Sequence, residues 1–156
     1  MSKYNNLATL AVKQIELSYA YEESSLKLAT NLAYEVSEYL DAPKDTIKLV
    51  ELNENLNGVV DTERLKVKPK LDGKYYIGLS IYLKISGSKY FGSQVLEVGI
   101  QYGSPISMIY VLGKSFSIDE TIKNPFLSLC ESVYSAIEDD YSLEVGAPKN
   151  SIGFIR

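Results

Sequence analysis

The sequence predicts a single α+β domain in which long amphipathic helices flank an antiparallel sheet. Apolar residues recur at helical spacing in the first third of the chain, at every second position in the middle, and at helical spacing again afterwards. With 156 residues, 46% hydrophobic and 23% charged, the chain has the composition of one ordinary globular domain. The predicted boundaries are a helical region over about 5–41, a sheet over about 46–118, a helix over about 119–140 and a tail over 141–156. This order of elements is too common to identify a family.

The N-terminal helical region carries one apolar stripe. Its members recur in alternating steps of four and three residues, broken only by Glu22, and they are Ala8, Val12, Ile15, Tyr19, Leu26, Ala29, Ala33, Val36 and Leu40. Neither Gly nor Pro interrupts the pattern before Pro43. An unbroken helix over the stripe would be about 50 Å long, whereas a compact chain of this size is about 40 Å across.

Two arrangements resolve this excess of length. The helix restarts within 22–25, with Ser24 or Ser25 as a new cap, or its end projects from the domain and pairs with another subunit. We favour the projecting end. The residues expected at the resulting oligomer interface are Val12, Ile15, Tyr19 and Leu26.

The middle of the chain is predicted to form a five-stranded antiparallel meander. The expected strands span 46–52, 59–70, 74–86, 94–102 and 106–112. Asn57-Gly58 is a strong hairpin signal, and two further tight turns are expected at 71–73 and 103–105.

The apolar pattern sets the register of the two later hairpins. A three-residue turn with Gly73 in the left-handed conformation pairs Leu65 with Leu79 and Val67 with Ile77, keeping lysines off the core face. The turn at 103–105 is expected to set Leu96, Val98, Ile100 and Tyr102 beside Leu112, Tyr110, Met108 and Ile106, in that order.

A second helix is predicted after the sheet. The segment 117–120 has the Ser-x-x-Glu form of a capping box, and Asn124-Pro125 then restarts or kinks the helix. The expected buried stripe is Phe126, Leu129, Cys130, Val133 and Ile137. Fraying is expected at the acidic residues 138–140, which are at the wrong end for the helix dipole. The apolar residues of the tail are expected to dock on the domain or on a partner.

Composition narrows the possible functions. The chain has no histidine, which excludes serine–histidine and cysteine–histidine nucleophile systems, and its single cysteine excludes all-thiolate zinc sites and an intramolecular disulfide. Any enzyme here must use carboxylates, Lys, Tyr, Ser or a hard metal ion. No signal peptide or membrane span is visible, so we expect a cytoplasmic protein without membrane contact. A net charge of -4 argues against general affinity for nucleic acid.

The second face of the predicted sheet concentrates positive charge and tyrosine. Its candidate binding residues are Arg64, Lys66, Lys68, Lys70, Tyr76, Tyr82 and Lys84, with Gly78, Ser80, Gly99, Gln101, Ser107, Ile109 and Val111 alongside. One interpretation is a solvated face whose lysines discourage edge pairing, and the other is a platform for an anionic or protein partner. Tyr90 and Phe91, in the Gly- and Ser-rich loop 87–92, either anchor an interface or fold back over the core.

Two weaker signals concern phosphate and metal. Gly113-Lys114-Ser115 resembles the end of a phosphate loop, but Met108 occupies the position of the required glycine. The acidic pairs nearest to strand ends are Asp61 with Glu63 and Asp119 with Glu120, and they lack a recognisable third ligand. We therefore predict neither a cofactor nor a metal.

The leading hypothesis is a non-catalytic binding protein, homo-oligomeric, that acts through protein–protein contacts as an inhibitor, immunity-type protein or adaptor does. The first alternative is binding of nucleic acid or a small phosphorylated ligand on the basic sheet face. The second is an unconventional metal-dependent hydrolase using Asp61, Glu63, Asp119 or Glu120.

Overall fold

The computed structural model describes residues 2–62, 64–149 and 152–155. Within these residues the elements are α1 (Lys3–Tyr39), β1 (Ile47–Leu52), β2 (Val59–Val60), β3 (Lys68–Pro69), β4 (Tyr75–Leu83), β5 (Gly92–Gln101), β6 (Ile106–Val111), β7 (Lys114–Asp119) and α2 (Leu127–Ser142). The described strands form one antiparallel sheet in the order β2-β1-β4-β5-β6-β7, with β3 also paired to β4. The predicted α+β class, with a long N-terminal helix and a C-terminal helix beside the sheet, is confirmed.

Helix α1 is continuous. Ser2 caps it by accepting a hydrogen bond from the Asn5 backbone N–H (3.0 Å), and Asp41, at φ 50°, follows its end. The restart considered near Ser24 does not occur, because the helix runs through that segment and Ser25 is already buried in the domain. All residues from 2 to 20 are exposed, so the N-terminal end projects, as predicted.

The core lies between one face of the sheet, called the inner face, and the two helices. The inner face supplies Ile77, Leu79, Ile81, Leu96, Val98, Ile100, Ile109, Val111 and Ile118. The C-terminal half of α1 packs on it through the buried residues Leu28, Ala29, Leu32 and Val36, of which only Ala29 and Val36 belong to the predicted stripe. The stripe residues Leu26, Ala33 and Leu40 are partly buried, because the buried side of the helix is rotated from the predicted stripe. The predicted stripe of α2 is confirmed, because all five of its residues are buried.

The edge of β4 is occupied differently from the prediction. β1 takes the position expected for the second strand and pairs Leu49 with Leu79, so the predicted strand 59–70 is reduced to β2 and β3. Only one strand can occupy a given stretch of an edge, and β1 presents apolar residues there, whereas the segment before β3 is charged. The hairpin register itself was predicted correctly, because Lys68 pairs with Tyr76 and Gly73 has φ 81°.

The register predicted for β5 and β6 is wrong by one residue. Val98 pairs with Val111 and Ile100 with Ile109, so the inner face receives Ser107, Ile109 and Val111, and these three do not belong to the outer face. Along residues 106–111, apolar side chains occur on both alternating sides of the strand. The observed register buries the side that carries the β-branched residues Ile109 and Val111. The Ser107 hydroxyl accepts from the Gly103 N–H (3.0 Å) and donates to the Gly103 carbonyl (2.8 Å), closing the longer connection.

The predicted capping box at 117–120 is also wrong. Its first three residues belong to β7, which pairs with β6 through a two-residue turn in which Leu112 and Gly113 both have positive φ. Alternation along β7 buries Ile118, and α2 begins only at Leu127, after Asn124-Pro125. The acidic end of α2 stays helical to Ser142, and Asp140 there is buried.

The described part of the tail docks on the domain. The Glu97 N–H donates to the Gly153 carbonyl and the Ile155 N–H donates to the Val95 carbonyl, both at 2.8 Å. β6 pairs with residues 98–101 of β5, so residues 95–97 of the same β5 edge are left for the tail. No helix among the described residues is both long and apolar enough to cross a membrane.

Candidate functional site

A long exposed apolar feature is the projecting part of α1, residues 3–20, called the arm. It measures about 27 Å at 1.5 Å per residue. Its large apolar side chains are between 55% and 79% exposed, and they are Tyr4, Leu7, Leu10, Val12, Ile15, Leu17 and Tyr19. Single exposed apolar residues are normal on a protein surface, whereas a contiguous set marks an interaction site.

Most of these side chains share one side of the arm. Helical spacing places seven residues there, called the arm stripe: Tyr4, Leu7, Ala8, Ala11, Val12, Ile15 and Tyr19. The opposite side carries Asn6, Thr9, Lys13 and Glu16, with Leu10 and Leu17 at one margin of it. Three of the four predicted interface residues therefore lie together and uncovered, while Leu26 lies beyond the arm and packs partly against the core.

Tyr21 fixes the point at which the arm leaves the domain. Its hydroxyl oxygen accepts a hydrogen bond from the Tyr102 N–H (2.7 Å), and its ring lies 5.0 Å from the Tyr75 ring and 6.1 Å from the Tyr102 ring. Burial raises the pKa of Tyr21, against the opposing effect of the hydrogen bond from Tyr102. The arm thus leaves the sheet at the start of β4 and the end of β5, from an anchored base.

The predicted basic residues do not form one continuous platform. Arg64, Lys66 and Lys70 are exposed, but the Lys68 Nζ lies 3.2 Å from Oε2 of Glu51. The other oxygen of this buried carboxylate accepts a hydrogen bond from the Lys66 N–H at 3.0 Å. Lys68 is thus part of an internal ion pair that joins β1 to the segment around β3.

Tyr76 is buried on the outer face of the sheet. Its ring packs with Leu52 and Leu56 and lies across Gly99, where an added Cβ would be 2.9 Å from the ring. Its hydroxyl donates to Oδ2 of Asp72 (2.6 Å). Burial is the main cause that raises the pKa of Tyr76, and the hydrogen bond to the Asp72 carboxylate raises it further. The same hydrogen bond lowers the pKa of Asp72. Tyr76 therefore has no free ring face for stacking on a ligand.

The loop 87–92, which carries Tyr90 and Phe91, lies at the end of the β4–β5 hairpin that is farther from the arm. Phe91 contacts Tyr82, with ring centroids 5.3 Å apart, while the Lys89 Nζ lies 5.2 Å from the centre of the Tyr90 ring. Tyr90 and Phe91 are nevertheless 74% and 64% exposed, and Lys84 beside them is exposed. Phe91 thus folds back on the sheet in part, and Tyr90 points into solvent.

A cavity of about 690 Å³ lies between this loop, the end of α1 and α2. Its walls are mainly apolar and include Leu40, Ile47, Ile81, Tyr134 and Tyr141. A hydrogen bond to Glu138 raises the pKa of Tyr134. Sequence reasoning missed this cavity because it is formed by residues from three distant segments.

A smaller cavity of about 480 Å³ lies on the outer face. It is lined by Glu97, whose pKa is raised by burial, and by Lys74, Tyr110 and Lys114. The Lys74 Nζ lies 3.9 Å from the centre of the Tyr110 ring, a cation–π contact. Neither Lys74 nor Lys114 was among the predicted site residues.

The acidic pairs proposed for a metal are not assembled into a centre. Asp61 is exposed, Glu63 lies outside the described residues, and Asp119 accepts from both the N–H and the hydroxyl of Thr121, which lowers its pKa. Within the described ranges no three carboxylate or thiol side chains are grouped so that they could hold a metal ion.

Comparisons of this chain with protein family models, curated proteins and solved structures found no match.

Proposed function

We propose that this protein is a non-catalytic binding protein that acts through protein–protein contacts and self-associates through its arm. Proteins of this kind act by occupying a partner's surface, as inhibitors, immunity-type proteins and adaptors do. The proposal is carried by the arm stripe, an apolar helix face that no described residue of the same chain covers.

The area of the arm stripe supports association. A stripe covering a third of a helix 27 Å long presents roughly 350–400 Å² to water, taking a helix diameter of about 10 Å plus a layer of solvent. Burying two such stripes is favourable by about 18–20 kcal/mol at 25 cal/mol per Å². Association itself costs about 4–15 kcal/mol or more, and ordering side chains adds to that cost. We therefore expect a reversible complex that forms at micromolar concentration.

Light scattering with a pair of matched variants tests the proposal. We expect the unmodified protein to exceed 17.4 kDa at tens of micromolar and to approach that mass on dilution. Val12→Asp places a charge in the arm stripe and should give 17.4 kDa throughout, whereas Thr9→Asp, on the polar side, should behave like the unmodified protein. A mass of 17.4 kDa for all three proteins at every concentration would contradict self-association.

Binding of a small phosphorylated ligand or nucleic acid is the second candidate, and it is favoured by the exposed side chains of Arg64, Lys66 and Lys70. Charge reversal at Lys68 is not a clean test, because Lys68→Glu would set a second carboxylate against Glu51. Arg64→Glu with Lys66→Glu avoids this problem. If a single-stranded oligonucleotide binds, its affinity should fall with salt by a slope of about 0.7 per phosphate and be lost in the double variant. Absence of salt-dependent binding would remove this candidate.

A further inference from the structure

Two copies of the arm have the geometry to pair with each other in one preferred direction. We infer that the arms of two subunits pair antiparallel, so that Tyr4 of one subunit lies beside Tyr19 of the other. This inference rests on the self-association proposed above and specifies its partner, its contact residues and its symmetry.

The arm stripe is nearly symmetrical about its midpoint between Ala11 and Val12. Residues at equal distances from that point form the pairs Tyr4 with Tyr19, Ala8 with Ile15, and Ala11 with Val12, while Leu7 is matched by Glu16, outside the stripe. A two-fold dimer sets each residue of such a pair beside the other member on the partner subunit. Antiparallel pairing thus places each alanine opposite a larger aliphatic residue, whereas parallel pairing places alanine opposite alanine and leaves a gap.

Charge at the two ends of the arm favours the same direction. Lys3 lies at the tip, while Glu22 and Glu23 lie just beyond the base. Antiparallel overlap brings the tip of one arm within a turn of the acidic base of the other. Parallel overlap would set Lys3 beside Lys3 and the glutamates beside glutamates, and it would align the two helix dipoles unfavourably.

The area that a specific dimer needs also favours antiparallel arms. The contact between two arms alone buries roughly 700–800 Å², less than the 1,200 Å² at the lower end of specific interfaces. In the antiparallel pair each tip lies level with the partner's base residue Tyr21, which packs against the rings of Tyr75 and Tyr102. The inferred dimer therefore includes contacts between each tip and the partner's domain, which enlarge the interface, whereas in a parallel pair each tip meets only the other tip.

Site-directed cross-linking tests the direction. In the antiparallel pair, Tyr4 of one subunit is adjacent to Tyr19 of the other, while two copies of Tyr19 are separated by 15 residues, or about 22 Å of helix. Tyr4→Cys and Tyr19→Cys are each treated with a short bismaleimide, alone and as an equimolar mixture. We expect cross-linked dimer in the mixture only, with the bridged peptides identified by mass spectrometry. Cys130 is 3% exposed and stays out of the reaction.

Two further variants complete the design. Thr9→Cys, on the polar side, is the control and should give no cross-link. Ala8→Cys with Ile15→Cys is a second symmetric pair on the arm stripe, scored by the bridge between residues 8 and 15, and it leaves both tyrosines in place in case they are needed for association.

The outcomes separate the inference from the proposal on which it rests. A dimer by light scattering that cross-links within each single variant, or in neither mixture, overturns antiparallel pairing and leaves self-association standing. A monomer at every concentration removes both.

Discussion

Deletion of residues 2–20 should leave the domain folded with nearly its full stability. None of these residues is buried, and the first buried residue of α1 is Ser25. An isolated helix of this length is marginal in water, so its own folding adds little to the stability of the domain. The loss of the cap at Ser2 affects the arm alone. We expect the free energy of unfolding to change by less than about 1 kcal/mol.

A core substitution on the same helix calibrates this expectation. Leu32 is fully buried between α1 and the inner face, so Leu32→Ala should lower the free energy of unfolding by about 2–5 kcal/mol. Both variants are measured by urea unfolding, followed by tyrosine fluorescence, at concentrations where the protein is monomeric. The deletion should also leave the urea dependence nearly unchanged, because the arm is exposed in both the folded and the unfolded state.

The result that refutes this reasoning is specific. If the deletion destabilises the monomer as much as Leu32→Ala does, the arm is packed against its own domain in solution. The arm stripe would then be covered within the chain, and neither self-association nor antiparallel pairing would have a free surface to use.

Three further predictions concern the domain itself. Burial raises the pKa of Glu97, so the folded state binds the proton of this carboxyl more tightly than the unfolded chain does. The stability that this proton contributes is therefore complete below the unfolded pKa and is lost as the pH rises through the folded pKa. Glu97→Gln should therefore gain stability relative to the parent at pH 7, and urea midpoints should show the gain shrinking towards pH 4. Burial raises the pKa of Cys130 to about 11, so its thiol should react with Ellman's reagent at pH 8 only after denaturant is added; rapid reaction of the native protein would show that α2 opens. Asp140→Ala removes the acceptor of the 2.8 Å hydrogen bond from the buried Gln94 amide and should lower the free energy of unfolding by about 1–3 kcal/mol, and an unchanged urea midpoint would contradict this.

Local patterns were sufficient to predict the class of fold. The stripe of α2 has one apolar phase, so its buried side follows directly from the sequence, whereas the buried side of α1 also includes Leu28 and Leu32, which lie outside the predicted stripe. The register of the hairpin at Gly73 also follows from the apolar pattern, because the alternative register would bury lysine.

The errors occur where local patterns admit two solutions. Residues 106–111 are apolar in both phases, so the pattern alone does not fix the register, and a turn longer than expected decides it. The segment 114–119 fits both a helix cap and an alternating strand, and pairing with β6 selects the strand. The position of β1 beside β4 is a competition between distant segments that no local window contains.

The same distinction applies to the candidate binding residues. Exposure of Val12, Ile15 and Tyr19 was predictable because it depends on the length of one helix. The ion pair of Lys68 with Glu51 and the burial of Tyr76 under Leu52 depend on the unexpected position of β1. A basic face inferred from alternation alone therefore counted the charge of Lys68, which the folded chain neutralises internally.

The length of α1 connects the fold to the proposed function. At 37 residues and 1.5 Å per residue the helix is about 55 Å long, and the domain can cover only part of it. The four- and three-residue spacing nevertheless continues across the break at Glu22, from Ala29 and Val36 in the covered half to Val12 and Ile15 in the uncovered half. A chain that needed only its own core would gain nothing from apolar residues beyond the sheet, where polar ones would improve solubility. The uncovered half therefore has the composition of a surface that is buried when a second helix is present, and the symmetry of its residues favours a second copy of the same arm.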